Sequence, residues 1–246
     1  VEVEDALGLV TTATHDYARL QPLTVTDANG TSSEAAYDAL GRLLATAVRK
    51  GSDGDAAESW STELTYVDDV LPASVRTRQR TTYGGTAWLE AVAYSDGGGN
   101  VIQTKTRVAP GDAPALLAGD VVWSAADPRW VGSGRTVFDR KGQPVKQYEP
   151  FFSHDDDFEA EDVLAAWGVA PVLIYDPAGR LIRTDLPDGA HRKVTFDAWK
   201  LTAYDECDTE ADGDHEGTPT VSHLDAQGRP VRVHETPDGV EVYETR

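Results

Sequence analysis

The feature that most constrains this chain is a four-residue phrase, Asp-x-x-Gly, that returns along its whole length. It occurs at Asp5–Gly8, Asp27–Gly30, Asp38–Gly41, Asp139–Gly142, Asp176–Gly179 and Asp225–Gly228. An aromatic or apolar residue precedes the later copies (Tyr37, Phe138, Tyr175, Leu224), and Arg or Gln follows the glycine (Arg42, Gln143, Arg180, Arg229). Asp at the first position of a type I turn accepts backbone N–H groups, and Gly at the fourth takes a positive φ. Such a turn closes a hairpin through a G1 bulge.

A second punctuation alternates with the first, at Leu186–Gly189 (LPDG) and Thr236–Gly239 (TPDG), so that turns recur every ten or eleven residues. Between turns the residues alternate as strands do. Val194 and Phe196 oppose Lys193 and Thr195, Val231 and Val233 oppose Arg232 and His234, and Val240 and Val242 oppose Glu241 and Tyr243. The expected fold class is therefore all-β: an antiparallel meander of hairpins forming a curved sheet. Residues 1–246 read as one continuous β layer, with a seam near 110–134.

One or two short helices are expected on this frame. One runs over Asp157–Gly168, with Asp157 as cap and Gly168 as stop; a weaker one covers Ala113–Gly119. Loops are expected at 49–59, 108–114, 152–158 and 208–219.

The 42 acidic and 22 basic residues give a formal charge of -20, which repels phosphate backbones and anionic lipid alike. Nucleic acid is not an expected partner. No apolar run reaches the length of a membrane span and the N-terminus has no leader pattern, so direct membrane insertion is not expected. The one cysteine, Cys207, excludes an internal disulfide and sits among carboxylates, where it reads as inert. Methionine is absent even at position 1, and the chain starts and stops inside strand-like phrases. It reads as a segment of a longer protein.

Candidate chemical sites are weak. Asp208, Glu210, Asp212, Gly213 and Asp214 follow the opening of an EF-hand loop, but Pro219 stands where the bidentate Glu belongs, so the stretch 208–216 reads as a solvated acidic loop. The histidines His15, His154, His191, His215, His223 and His234 lack tight ligand spacing. Ser222 and His223, adjacent on a strand, point to opposite faces and cannot form a triad with Asp225. The runs GGGN (97–100) and VGSGR (131–135) read as turns, not as a phosphate cradle or a nucleophile elbow. No catalytic residue, cofactor or metal ligand is assigned.

The phrases YDALGRLLATAV, YDPAGRLIRTDLPDG and HLDAQGRPVRV resemble Rhs or YD repeats, whose hallmark is Tyr-Asp-x-x-Gly-Arg-Leu. Arg19–Gly41, Tyr94–Lys105, Val137–Ser153 and Thr195–Thr209 resemble, in order, the B component of bacterial insecticidal toxin complexes. The resemblance implies a secreted, non-enzymatic segment of a hollow β shell that encloses and delivers a cytotoxic polypeptide. It also implies a C component with its enclosed cargo as partner, and a pore-forming A component reached through regions outside these residues. The site residues are then the repeat turns Asp38, Gly41, Asp139, Gly142, Asp176, Gly179, Asp225 and Gly228. The family's β-propeller and aspartyl autoproteolytic site have no counterpart phrase here, and YSDGGGN (94–100) lacks the Phe-Gly-Arg expected after Ser-Asp-Gly, which points to a more flexible hairpin. A carbohydrate-binding or cell-surface β module, with tryptophans lining a groove, is the alternative reading.

Overall fold

The structure, a computed structural model, describes residues 1–50, 59–211, 213–235 and 243–245. It divides into two compact units, one made of Val1–Ser133 with Pro150–Glu159, the other of Gly134–Glu149 with Ala160–Arg246.

In the first unit, β1 (Glu2–Glu4), β2 (Val10–Asp16), β3 (Gln21–Thr26), β4 (Ser32–Tyr37), β5 (Leu43–Arg49), β6 (Thr62–Val67), β7 (Ala73–Arg80), β8 (Trp88–Ser95) and β9 (Val101–Val108) form an antiparallel meander. β10 (Gly111–Leu117) and β11 (Asp120–Ala126) make a separate hairpin. β12 (Arg129–Ser133) then returns to pair with β9. After β13 (Thr136–Phe138) and β14 (Pro144–Gln147), which belong to the second unit, β15 (Phe151–Ser153) comes back to pair with β12. The result is an open eleven-stranded sheet.

The second unit continues through α1 (Glu161–Leu164), β16 (Val172–Tyr175), β17 (Leu181–Asp185), β18 (His191–Phe196), β19 (Lys200–Tyr204), α2 (Glu206–Thr209), β20 (Thr220–Leu224), β21 (Pro230–Glu235) and β22 (Tyr243–Thr245). Its nine strands form an open antiparallel sheet in the order β13-β14-β16 to β22. The fold is all-β. Where the repeats alone suggest one continuous layer, the strands are distributed over two large sheets and one hairpin.

Few large apolar side chains are fully buried. Ala45 and Ala47 alternate inward on β5, and Val92, Trp130 and Phe151 pack in the first unit, with Tyr148 and Leu164 in the second. The Phe151 ring lies over Gly132, its partner across β12 and β15; a Cβ there would sit 2.3 Å from the ring. Only glycine allows that approach.

Both helix expectations need correction. The first helix covers only Glu161–Leu164, with Ala160 at its N-cap and no side-chain cap, because residues up to Glu159 are committed to the first unit. Asp157 instead directs its N–H to Asp155 Oδ1 at 3.1 Å. The Ala113–Gly119 stretch is strand: Ala118 (φ 53°) and Gly119 (φ 96°) form a two-residue turn that sets Leu117 opposite Asp120, and hairpin pairing overrides the helix propensity of Ala and Leu. Conversely, α2 runs into the first two residues of the stretch expected to be a loop from 208, because Asp205 and Asp208 make a reciprocal capping box. The TPDG turn, the Val240/Val242 alternation and most of the 49–59 loop lie outside the described residues.

Candidate functional site

The repeat turns share one hydrogen-bond pattern. Asp38 Oδ1 accepts the N–H groups of Leu40 and Arg42, both at 2.9 Å. The same pair of bonds recurs at Asp5, Asp27, Asp96, Asp139 and Asp225. Asp176 accepts the Arg180 N–H at 2.9 Å. In all seven turns the glycine N–H donates to the Asp carbonyl at 2.9–3.1 Å, and the Asp N–H donates to the carbonyl four residues on at 2.8–3.0 Å. The glycine φ lies between 76° and 86°. The pairing register shifts beside the turns that start at Asp38, Asp96, Asp139, Asp176 and Asp225, the mark of a bulge.

The expected turn at 97–100 is a full Asp-x-x-Gly copy, Asp96–Gly99. It belongs to YSDGGGN, where no Arg follows the glycine; Asn100 replaces it, with its Nδ2 on Asp96 Oδ2 at 3.1 Å. The hydrogen bonding there is as complete as in the Arg-bearing copies.

Arginine closes the other side of the carboxylate. Nε of Arg42, Arg180 and Arg229 donates to Oδ2 of Asp38, Asp176 and Asp225 at 2.6, 2.7 and 2.8 Å. The Arg42 guanidinium, followed by the Arg42 N–H, holds the Asp38 carboxyl below the usual carboxylate range. At Asp176 and Asp225 the backbone N–H of Arg180 and Arg229 leads and the guanidinium adds to it, again downward. These carboxylates are ionised and fully engaged, so they have no capacity as general acids or bases.

Some turns also grip a neighbouring turn. Arg19 Nε donates to the Asp38 carbonyl at 2.7 Å, and Arg42 Nη1 donates to Asp68 at 2.5 Å while its guanidinium stacks 4.5 Å from the Tyr66 ring. In the second unit, Lys141 Nζ reaches the Pro177 carbonyl at 3.3 Å, Gln143 Nε2 reaches the Gly179 carbonyl at 2.9 Å, and Arg180 stacks 4.2 Å from Phe196. The hallmark tyrosines tie neighbouring strands: Tyr37 donates to the Pro22 carbonyl at 3.2 Å and Tyr175 to the Pro144 carbonyl at 2.9 Å. Asp38 and Gly41 thus belong to one such ladder in the first unit; Asp139, Gly142, Asp176 and Gly179 belong to another in the second. Asp225 and Gly228 form their own turn at β20–β21, without a side-chain bond of this kind to the Asp176 turn among the described residues. The arrangement can stiffen and register a sheet. It offers no nucleophile.

The other sequence candidates do not converge. Asp208 spends both oxygens on the Asp205 N–H (2.9 Å) and the Thr218 hydroxyl (2.8 Å), and Asp212 lies outside the described residues. Among the described residues no group of three or more His, Cys, Asp or Glu side chains could hold a metal ion. His223 lies edge-on to His234, with ring centroids 6.0 Å apart, while Asp225 is engaged by its own turn. Cys207 is exposed. Of the tryptophans, Trp130 is buried and Trp88 is covered by Arg78 and Arg80; Trp123 and Trp199, 58% and 60% exposed, belong to different units.

One cluster is invisible to sequence reasoning. Lys105 on β9 has no solvent exposure, and its Nζ donates to Ser153 Oγ (2.6 Å), Glu159 Oε1 (3.0 Å) and the Asp155 carbonyl (3.3 Å). Beside it Gln103, also fully buried, accepts the Glu159 N–H at 3.2 Å. Arg76 pairs with Asp156, and the Tyr94 hydroxyl donates to the Asp156 carbonyl. Burial, with the nearby Asp156 charge, pushes the Tyr94 phenol up to about 12. Together these contacts pin residues 150–159 to the first sheet. Partners some fifty residues apart leave no local signal.

No protein-family model matches the chain, and no curated protein matches it. Solved structures do. The chain is similar to the crystal structure of TcdB2-TccC3, with 27% identity and a TM-score of 0.80 over 97% of this chain and 14% of that one. It is similar to TcdB2-TccC3 without its hypervariable C-terminal region, with 22% identity and a TM-score of 0.81 over 98% of this chain and 16% of that one. A third similar structure is a Photorhabdus luminescens Tc holotoxin pore, with 22% identity and a TM-score of 0.79 over 98% and 16%. The chain therefore spans about one-sixth or less of the length of the chains it matches. Its fold is the Rhs/YD-repeat β sheet of the toxin-complex B type.

Proposed function

We propose that this chain is a structural wall segment of a toxin-complex B component, one that helps enclose and deliver a cytotoxic polypeptide. The observation that carries this reading is the turn-to-turn ladder of Asp38, Arg42 and Asp68 and of Lys141, Gln143 and the Asp176 turn, within a chain matched over nearly its full length by TcdB2-TccC3. A wall needs stiffness and fixed register rather than reactive groups, and the engaged carboxylates supply both. On this reading the protein is secreted, is not an enzyme, and works with a C component that carries the cargo; the pore-forming A component is met through other regions. The repeat turns are its functional residues in a mechanical sense. The alternative, a carbohydrate-binding surface module, asks for tryptophans converging on one groove, and no such observation favours it.

The test is protease protection. The parent protein is co-purified with a candidate C component and the C-terminal cargo is challenged with protease. Protection that disappears when residues 1–246 are deleted supports enclosure. Cargo equally resistant, or equally sensitive, with and without these residues rejects it.

A further inference from the structure

The chain has only two asparagines, Asn29 and Asn100, and both belong to Asp-x-x-Gly turns, in opposite chemical surroundings. Asn100 follows the glycine of its turn, directs its Nδ2 to Asp96 Oδ2 at 3.1 Å, and is succeeded by the β-branched Val101 at the start of β9. Asn29 is the third residue of its turn and is exposed. Its backbone N–H donates to Asp27 Oδ1 at 2.9 Å, but its side-chain amide makes no hydrogen bond among the described residues. Gly30 follows with a φ of 77°, and even a Cβ there would meet nothing within 4 Å. No side chain shields the next backbone nitrogen, and nothing fixes the Asn29 amide away from it. In the other turns the residue before the glycine is Leu7, Leu40, Gly98, Lys141, Ala178 or Gln227, none of which can close a five-membered ring on the following nitrogen.

We infer that Asn29 is a self-modification site, at which the Gly30 nitrogen attacks the Asn29 side-chain carbon Cγ and closes a succinimide. The new C–N bond forms as the Cγ–Nδ2 bond breaks, and the Gly30 amide proton leaves with Nδ2 as ammonia. Water then opens the ring at either carbonyl, giving aspartate or isoaspartate; in the latter the main chain runs through Cβ and Cγ. Water is the sole co-reactant, and no group is oxidised or reduced.

The turn sets the rate. The Gly30 N–H donates to the Asp27 carbonyl at 3.0 Å, so attack waits for the turn to open, a local event of lower cost than global unfolding. The isoaspartyl product cannot close the same turn. It lengthens the main chain between Asp27 and Gly30 by one methylene, which displaces the Gly30 bond and the Thr31 N–H bond to Asp27 Oδ1 at 2.8 Å, and it leaves a new carboxylate beside Asp27. The β3–β4 hairpin, paired up to Thr26 and Ser32, loses the turn that sets its register. The inference stands independently of the wall reading, since it rests only on the chemistry of one turn.

The test incubates the whole chain in mildly alkaline buffer and follows both asparagines by peptide mapping with mass spectrometry. Conversion at Asn29 at least about tenfold faster than at Asn100 is expected, because glycine leaves the attacking nitrogen open and valine crowds it. The rate should rise with hydroxide concentration, and rise again when the chain is unfolded in urea. The product should include isoaspartate, read as methyl transfer from S-adenosylmethionine by isoaspartyl methyltransferase, and Asn29→Gln should abolish that signal at this turn without changing the circular dichroism. Asn29→Asp supplies the ordinary product: hydrogen exchange at Thr31 should match wild type in it and rise in the isoaspartyl form. Equal rates at the two asparagines, aspartate without isoaspartate, or earlier methyl acceptance at the exposed Asp188–Gly189 bond overturns the inference.

Discussion

Arg42 joins two consecutive turns at the same end of the first sheet: Nε holds Asp38 in its own turn at 2.6 Å, and Nη1 holds Asp68, in the turn two strands on, at 2.5 Å. A lysine carries the charge but not the planar fork, so it cannot serve both carboxylates with the same geometry. Arg42→Lys should lower the thermal unfolding midpoint, Arg42→Ala should lower it further, and the gap between wild type and Arg42→Lys should narrow in 1 M NaCl as the exposed charges are screened. Scanning calorimetry at two salt concentrations reads this out. A lysine variant as stable as wild type at low salt removes the case for a shared guanidinium.

Gly41 and Gly97 form a matched pair. A Cβ at either position meets nothing within 4 Å, but Gly41 has a φ of 81° and Gly97 does not fall in the left-handed region. Gly41→Ala should therefore cost about 1–2 kcal/mol. Gly97→Ala should be neutral, or stabilise by about 0.4–1 kcal/mol through the unfolded chain. Urea unfolding of the two variants distinguishes conformational strain from steric crowding, because crowding is absent from both.

The turn aspartates set an acid limit. Asp38, Asp96, Asp176 and Asp225 all have carboxyls held below the usual range when folded. Their contribution to stability is therefore complete above the unfolded carboxylate pKa of about 4 and is lost as pH falls through the lower folded values. Stability measured from pH 6 to pH 2 should drop steeply below about pH 4. Asn at positions 176 and 225 keeps the Oδ1 acceptor but has no charge to lose, so that double variant should start less stable at pH 6 and show a shallower acid limb. An unchanged limb would mean that other groups govern acid unfolding.

Lys105 anchors the 150–159 segment through Ser153 and Glu159. Lys105→Met removes the ammonium from Ser153 Oγ, the Asp155 carbonyl and the Glu159 carboxylate, 15% exposed, and should cost about 3 kcal/mol. Adding Glu159→Leu should recover part of that loss, since it removes the carboxylate whose pairing with Lys105 is broken. Equilibrium unfolding of the single and double variants, read as a double-mutant cycle, gives the coupling.

The Tyr175 hydroxyl donates to the Pro144 carbonyl across β16 and β14 at 2.9 Å. Tyr175→Phe keeps the ring and removes one hydrogen bond, so it should destabilise by about 1 kcal/mol. Hydrogen exchange should meanwhile rise at Lys146 and Val172, the register pair that joins the two strands.

What could be read from the sequence was what is local. Asp at one end of a four-residue phrase and Gly at the other dictate a turn without help from the rest of the chain. The copy at Asp96–Gly99 is legible by the same rule: the sequence marks 97–100 as a turn, but the missing Phe-Gly-Arg suggests a flexible hairpin where Asn100 in fact completes the bonding. What failed was competition between local preference and pairing: Ala113–Gly119 has the composition of a helix, yet the left-handed pair Ala118 and Gly119 turns it into a hairpin. The Lys105 cluster depends on register over many strands, and alternation within a single strand does not reveal which residues of its neighbours stand opposite.

The return of residues 150–159 to the first unit has a consequence for how the protein is made. A ribosome delivers Val1–Ser133 first, then residues 134–149 of the other unit, and only afterwards Ser153 and Glu159. Until then Lys105 and Gln103 have neither their cover nor their partners, and β12 has an open edge where β15 will pair. The earlier half of the chain must therefore wait, unfinished, for a strand that is translated after the later half has begun.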